Sequence, residues 1–138
     1  MALDAKTVRV GQDLAPLAKG AITREMLKVY GPAAGDPNPI HVDEEFAKNA
    51  GYPGVFAHGM LSMAYLARAL TQWVPQSRVL NYGVRFAAIT QVADRVQCSG
   101  KVVEKLDYRG RPCARIELTA SRNGEQVTLS GDAIVALD

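Results

Sequence analysis

The sequence predicts an α+β fold in which an antiparallel sheet wraps around a long buried helix. Helical patterns occupy the first half of the chain and strand patterns the second, and this segregation is typical of α+β proteins with antiparallel sheets. Residues 60–74 are apolar on nearly every side, which is typical of a buried helix. An Asn123-Gly124 pair lies between two alternating runs and is a strong hairpin signal.

The first half of the chain combines a short strand with a capped helix. Residues 7–10 (TVRV) alternate polar and apolar side chains, which predicts a strand. Thr23 can cap a helix that runs to about Tyr30, where Gly31-Pro32 is expected to end it. Residues 31–40 are rich in glycine and proline and are predicted to form a loop.

Two more helices and then the strands follow. Asp43 can cap a short helix that ends at Gly51, and after a second loop the long apolar helix begins near Gly59 and ends before Pro75. Beyond it the hydrophobic period becomes alternating, which predicts strands. The predicted strands are 79–86, 94–106, 112–122 and 125–137, separated by turn signals at Ala93-Asp94, Arg109-Gly110 and Asn123-Gly124.

Composition excludes several classes of protein. The 138 residues suit one domain, and a net charge of +2 is too small to predict nucleic-acid binding. Cys98 and Cys113 have neither a disulfide framework nor zinc spacing, so we expect reduced thiols in a cytoplasmic protein. No signal peptide is recognised. The most apolar stretch, 55–70, is interrupted by polar residues, so no membrane span is expected.

The segment 35–41 (GDPNPIH) carries the first candidate chemistry. Its two prolines bias Asp36 and Asn38 to extended geometry, so the loop should be stiff. A stiff loop can hold a carboxylate, a carboxamide and an imidazole in fixed positions. Asp36 and His41 could together bind one water molecule and exchange protons with it, because histidine titrates near neutrality.

Two other interpretations of this segment remain open. The Asp-Pro-Asn-Pro run also makes a good turn with no chemistry, and His41 could simply bond a backbone carbonyl. A metal site built from Asp36, His41, Asp43 and His58 is conceivable, but the chain has only two histidines and no helix-spaced pair. We therefore expect no metal.

The second candidate segment is 54–60 (GVFAHGM), at the start of the long helix. The first amides of a helix lack internal partners and lie at the positive end of its dipole. The N–H of Gly59 could therefore stabilise an oxyanion, since glycine lets a ligand approach the backbone closely. Alternatively, Gly59 serves only helix packing, and His58 is a structural residue at the helix start.

These residues resemble a known family. YGPAAGDPNPIHVDEEFA (30–47) followed by GVFAHGM (54–60) is similar to the hydratase motif of the MaoC-like, (R)-specific enoyl-CoA hydratases. NYGVRF (81–86) resembles the strand after the long helix of that family. The resemblance covers roughly residues 8–137, and its matching motif positions are Gly35, Asp36, Asn38, Pro39, His41 and Ala47.

The resemblance implies a hot-dog fold, one hot dog per chain, and a dimer. It implies that Asp36 and His41 activate one water for addition to a trans-2-enoyl thioester of coenzyme A or acyl carrier protein. Asn38 would brace the loop, the Gly59 amide would polarise the thioester carbonyl, and His58 would lie at the substrate. No metal or redox cofactor is expected. Some relatives have a serine where this chain has Ala67.

The resemblance leaves three alternatives open. Related dehydratase subunits pair with a second, non-catalytic hot-dog chain, so a heterodimer remains possible. A non-catalytic thioester-binding subunit would be expected to lose Asp36 or His41, and both are present. A hot-dog thioesterase would use a carboxylate beside a helix start, but not this Asp-x-Asn-Pro-x-His run.

Overall fold

Five antiparallel strands form one sheet, and a long helix packs against it. The computed structural model describes residues 3–138. The strands are arranged β1-β3-β4-β5-β2, so β1 and β2 are the two edges. This arrangement confirms the predicted α+β architecture. The elements in chain order are β1 (Asp13–Ala21), α1 (Arg24–Ala34), a 3₁₀ turn (Pro39–His41), α2 (Glu44–Asn49), α3 (Gly59–Trp73), a second 3₁₀ turn (Gln76–Arg78), β2 (Val79–Phe86), β3 (Arg95–Tyr108), β4 (Arg111–Arg122) and β5 (Gln126–Ala136).

Helix α3 contributes buried side chains to the hydrophobic core from one of its faces only. Leu66 and Leu70 are fully buried, and burying a leucine side chain contributes about 1.5–3 kcal/mol. Trp73 packs over Gly100 of β3 and donates a hydrogen bond from Nε1 to the Ala15 carbonyl at 2.8 Å. The opposite face is open, since Met60 is 55% exposed. The expectation of a helix buried nearly all round is therefore correct for half of its surface.

The predicted strand at residues 7–10 is wrong, and the first strand is β1. The Asp4 carboxylate accepts hydrogen bonds from the amides of Lys6 and Thr7 and turns the chain there. Strand β1 contains Pro16, which lacks the N–H that a central strand would need. Proline is tolerated at a sheet edge, and the pairing of β1 with β3 is irregular around Pro16. The segment can form a strand because β1 lies at the edge of the sheet, where Pro16 is tolerated.

Helix α1 continues through Gly31-Pro32 to Ala34, beyond its predicted end. Gly31 is buried against His58, and a Cβ there would lie 3.0 Å from the Asp36 carbonyl oxygen. This packing outweighs the low helix propensity of glycine and proline. The helix ends instead at Gly35, which adopts a left-handed φ of 71°. The residues after it are also less irregular than predicted, because 39–41 form a 3₁₀ turn.

The other local predictions are confirmed. Thr23 and Asp43 cap α1 and α2 through their side-chain oxygens. The three turns between strands contain positive φ angles at Ala93, Arg109 and Asn123. No helix within residues 3–138 is long and apolar enough to cross a membrane.

Both cysteines are free and buried, as expected. Cys98 lies on β3 in the main core, and burial raises the pKa of its thiol to about 11. Burial also raises the pKa of Cys113 on β4. Thiols of this kind are inert packing groups.

Candidate active site

The segment 35–41 is held rigid by its own hydrogen bonds. The Asp36 amide donates to the Gly31 carbonyl at 2.9 Å, which ties the segment to the end of α1. The Asp36 carboxylate accepts from the Asn38 amide at 3.2 Å, and the Asn38 side chain accepts from the Ile40 amide at 3.1 Å. Asn38 thereby caps the 3₁₀ turn that carries His41. These hydrogen bonds add to the backbone restriction by the prolines and so support the expectation of a stiff loop.

His41 is buried, and one of its ring nitrogens is committed to the backbone. Its Nδ1 lies 2.7 Å from the Phe56 carbonyl oxygen. A carbonyl only accepts hydrogen bonds, so a neutral His41 carries its hydrogen on Nδ1 and keeps the Nε2 lone pair free. The interpretation of His41 as a carbonyl-bonded residue is therefore correct for Nδ1 and leaves Nε2 available for chemistry.

Phe56, whose carbonyl binds His41, is itself held in place by backbone pairing with residues 90–91. Phe56 forms an isolated antiparallel bridge with Gln91, and the Ala57 amide donates to the Thr90 carbonyl at 2.7 Å. The Phe56 and His41 rings also pack edge to face at a centroid distance of 5.0 Å. These contacts fix the orientation of the imidazole from two directions.

His58 stacks directly on His41. The ring centroids are 3.8 Å apart and the planes differ by 26°. The His58 ring also meets the Tyr30 ring in an edge-to-face arrangement, with a centroid distance of 4.9 Å. Its Nδ1 is the one fully buried side-chain nitrogen or oxygen that lacks a hydrogen-bond partner within residues 3–138. Burial lowers the pKa of His58, and His41 lowers it further, while Asp36 acts in the opposite direction.

Asp36, His41 and His58 form one compact cluster. Each residue brings one polar atom to within 4.8 Å of the corresponding atoms of the other two. Asp43, the fourth residue of the conceivable metal set, is not in this cluster, because its carboxylate accepts from the Phe46 amide at the start of α2. The folded chain thus unites the two candidate segments around two imidazoles and one carboxylate.

Gly59 is the first residue of α3, and no side chain caps the amides there. The Phe86 ring covers the glycine so closely that a Cβ would lie 2.9 Å from Phe86 Cε1. A cavity of about 340 Å³ opens beside this helix start. Its lining residues are Phe56, Ala57, Gly59, Ser62, Phe86, Ala87, Ala88, Ile89, Thr90 and Leu129.

A second cavity, of about 570 Å³, adjoins the cluster. Asp36, Asn38 and His58 contribute to its walls together with residues of α1. Ala67, where some relatives have serine, lines neither cavity. It lies in a third one of about 520 Å³ with Lys19, Arg68 and other residues.

Phe86 and Thr90 are site residues that the sequence did not reveal. Phe86 is the last residue of β2, and Thr90 follows it four residues later. Neither residue belongs to a recognisable sequence motif. The only available signal was the NYGVRF run, which ends at Phe86. Their place beside Gly59 depends on the pairing of β2 with β5 and on the bridge at Phe56.

Comparison with known proteins gives the same family that the motifs indicate. Residues 5–123 match the family described as MaoC like domain. Over 124 residues the chain is 28% identical to a 3-hydroxybutyryl-CoA dehydratase of Methylorubrum extorquens. The matched region covers 88% of this chain and 77% of that protein.

Solved structures show the same architecture. The (R)-hydratase from A. caviae involved in PHA biosynthesis is 25% identical, with a TM-score of 0.83 over 97% of this chain and 100% of that one. A chain of the ChsH1-ChsH2 complex from Mycobacterium tuberculosis is 19% identical, with a TM-score of 0.81 over 96% and 99% of the two chains, a likeness of fold alone. The sheet with α3 packed against it is the hot-dog fold, and this chain belongs to the MaoC-like family of hydratases and dehydratases.

Proposed function

We propose that this protein is a hydro-lyase that reversibly hydrates trans-2-enoyl thioesters to (R)-3-hydroxyacyl thioesters. Asp36 and His41 serve as the acid/base pair that acts on one water molecule. The main support for this proposal is the cluster of side chains at the site. In it the Asp36 carboxylate lies near the His41 imidazole, whose Nδ1 is bound to the Phe56 carbonyl. That arrangement leaves the Nε2 lone pair of His41 free to accept a proton.

In the hydration direction, the two groups divide the proton transfers of one addition. Asp36 and His41 hold the water by hydrogen bonds, and the water loses a proton to the pair as its oxygen bonds to C3 of the substrate. The π electrons move toward C2 and the thioester carbonyl. A proton then passes from the pair to C2, so the enzyme ends in its starting state. Dehydration is the same path in reverse.

The remaining site residues support this step. The Gly59 N–H, at the positive end of α3, polarises the thioester carbonyl and stabilises the enolate-like charge. Asn38 braces the loop through its bond to the Ile40 amide. His58 lies against His41 at the substrate, and burial lowers its pKa, which favours the neutral form of the ring.

Family membership and the relatives' names support the choice of substrate. The M. extorquens relative is named a 3-hydroxybutyryl-CoA dehydratase, and the A. caviae structure is named an (R)-hydratase. The carrier is coenzyme A or acyl carrier protein, bound as part of the substrate. The reaction moves a proton and a hydroxyl group without electron transfer, so it needs no redox cofactor. We propose that it also uses no metal, because Asp36 and His41 themselves supply the proton transfers that activate the water.

The purified protein is expected to hydrate a trans-2-enoyl-CoA with no added metal. A panel of enoyl-CoA substrates of graded chain length should be followed by loss of the enoyl absorbance, with chiral analysis of the product. Activity should survive EDTA and give the (R) product. Activity abolished by EDTA and restored by zinc, or mainly (S) product, would contradict the corresponding part of the proposal. Release of free thiol without hydration would identify a thioesterase instead.

Variants of the acid/base pair test the mechanism. Asp36→Asn and His41→Gln should each lower kcat by about 10²–10⁴-fold, the usual contribution of one positioned proton-transfer group. Because both groups act on one water, the kcat of the double variant should be only slightly lower than that of the less active single variant. The measurements are kcat and KM on protein verified as folded by circular dichroism. Normal turnover in either single variant would favour the turn interpretation, in which only stability changes.

A further inference from the structure

Ser62 is a buried hydroxyl-bearing residue that the fold does not use. It lies on α3 three residues after Gly59, is only 2% exposed, and lines the same cavity as Gly59. A serine within a helix commonly bonds back to a carbonyl of the preceding turn, as Thr71 does to the Arg68 carbonyl at 3.1 Å. The Ser62 hydroxyl forms no hydrogen bond with any residue in the described part of the chain, 3–138.

Neither packing nor helix formation explains this serine. The Ser62 hydroxyl has no hydrogen-bond partner in residues 3–138 and, unlike His58 Nδ1, is not fully enclosed, since Ser62 lines the cavity. It therefore adds nothing to the packing, and serine has a lower helix propensity than alanine. Alanine would fill the same place at no such cost. The rest of the cavity wall is mainly apolar, with Phe56, Phe86 and Leu129 among its members. The hydroxyl is therefore one of few polar groups that could meet a ligand there.

Helix geometry directs the hydroxyl toward the start of α3. Residues three apart lie on the same helix face, and side chains lean toward the N-terminus. The rise over three residues is about 4.5 Å, and Gly59 has no side chain in the intervening space. No side chain caps the amides of the first turn. An oxygen atom bound at the Gly59 N–H would thus lie on the side to which Ser62 leans.

We propose that the Ser62 hydroxyl binds the substrate by donating a second hydrogen bond to the thioester carbonyl oxygen at the Gly59 N–H. This inference rests on the proposed hydratase function. Negative charge grows on that oxygen as the water oxygen bonds to C3, so both hydrogen bonds strengthen in the transition state. The apolar cavity wall increases their effect, because charge interactions are stronger in a medium of low dielectric constant.

The test is Ser62→Ala, measured for both turnover and stability with an enoyl-CoA that the wild type hydrates. We expect kcat to fall about 100-fold, as for loss of one oxyanion donor, with a much smaller change in KM. The melting temperature should stay equal or rise, because the hydroxyl has no partner in the protein and alanine has the higher helix propensity. Ser62→Thr keeps the hydroxyl and should recover most of the lost turnover. Thr71→Val, on the same helix but outside this cavity, should leave turnover unchanged.

The outcomes separate this inference from the function on which it rests. A wild type that hydrates no enoyl-CoA contradicts the proposed function itself. An active wild type with an equally active Ser62→Ala variant overturns only the role of Ser62. Reduced turnover with a lowered melting temperature, and no recovery in Ser62→Thr, would assign Ser62 a structural role and likewise overturn the inference.

Discussion

His58 shows how one residue can couple the candidate site to the stability of the fold. The residue is 2% exposed, and its ring stacks on His41 at 3.8 Å and meets the Tyr30 ring edge to face at 4.9 Å. Burial and the neighbouring His41 lower the pKa of His58 below its ordinary value of 6.5. The ring therefore remains neutral in the folded protein at pH values where an unfolded chain would protonate it.

The protein is accordingly expected to lose stability as the pH falls below 6.5. In that range the unfolded state binds more protons at His58 than the folded state, so the free energy of unfolding decreases with decreasing pH. The carboxyl groups with lowered pKa values, such as Glu44, would lose their contributions only at more acidic pH. The measurement is the melting temperature from about pH 8 to about pH 5. His58→Phe, which keeps an aromatic ring that cannot titrate, should flatten the curve, and an unchanged slope would contradict this account.

At the scale of elements, the contact between α3 and β3 positions the helix that carries Gly59 and Ser62. Trp73 lies over Gly100, and a Cβ at Gly100 would come within 2.6 Å of the Trp73 ring and 3.2 Å of Ile116. The Trp73 ring is also anchored by its bond to the Ala15 carbonyl, so it has little freedom to move. The absence of a side chain at Gly100 is thus a condition for the close packing of α3.

Gly100→Ala is therefore expected to destabilise the protein by about 1–3 kcal/mol, the usual cost of overpacking a core. Gly20→Ala is the matched control, because Gly20 lies in an edge strand and a Cβ there meets nothing within 4 Å. The free energies of unfolding can be compared by urea denaturation. Trp73 is the only tryptophan of the chain, so its fluorescence reports directly on this contact. Equal stability of the two variants would show that the ring moves aside at no cost.

At the scale of the whole molecule, the surface suggests association. The outer sides of the edge strands β1 and β2 pair with no other strand among residues 3–138. Unpaired strand edges are prone to pair with another chain. Apolar side chains are also exposed, with Met60 at 55% and Phe86 at 53% beside Gly59 and Val29 at 70% on α1. These features support the proposal of a dimer.

Light scattering on the purified protein should accordingly give the mass of a dimer or a larger assembly. A fully active monomer would contradict this expectation. A dimeric protein that is inert with every enoyl thioester would instead favour the partner-dependent alternative, in which a second hot-dog chain completes the enzyme. Mixing with candidate partner chains and repeating the hydration assay would then distinguish the two forms of assembly.

Much of the molecule was predictable because it depends on residues close in sequence. The hydrophobic periods of α3 and of β2 to β5, the caps Thr23 and Asp43, and the turn at Asn123-Gly124 are local patterns. The motif around Asp36 and His41 was recognisable for the same reason, since its geometry is set by hydrogen bonds within residues 31–41.

Other features were decided by contacts between residues far apart in sequence. Strand β1 exists because β3 offers it an edge position that tolerates Pro16, and α1 passes through Gly31 because His58 packs there. The stacking of His58 on His41, and the placement of Phe86 and Thr90 beside Gly59, require the complete sheet. Sequence alone therefore determined which groups could perform the chemistry, while the tertiary structure decided their neighbours, because burial, stacking and strand pairing arise only when distant segments pack together.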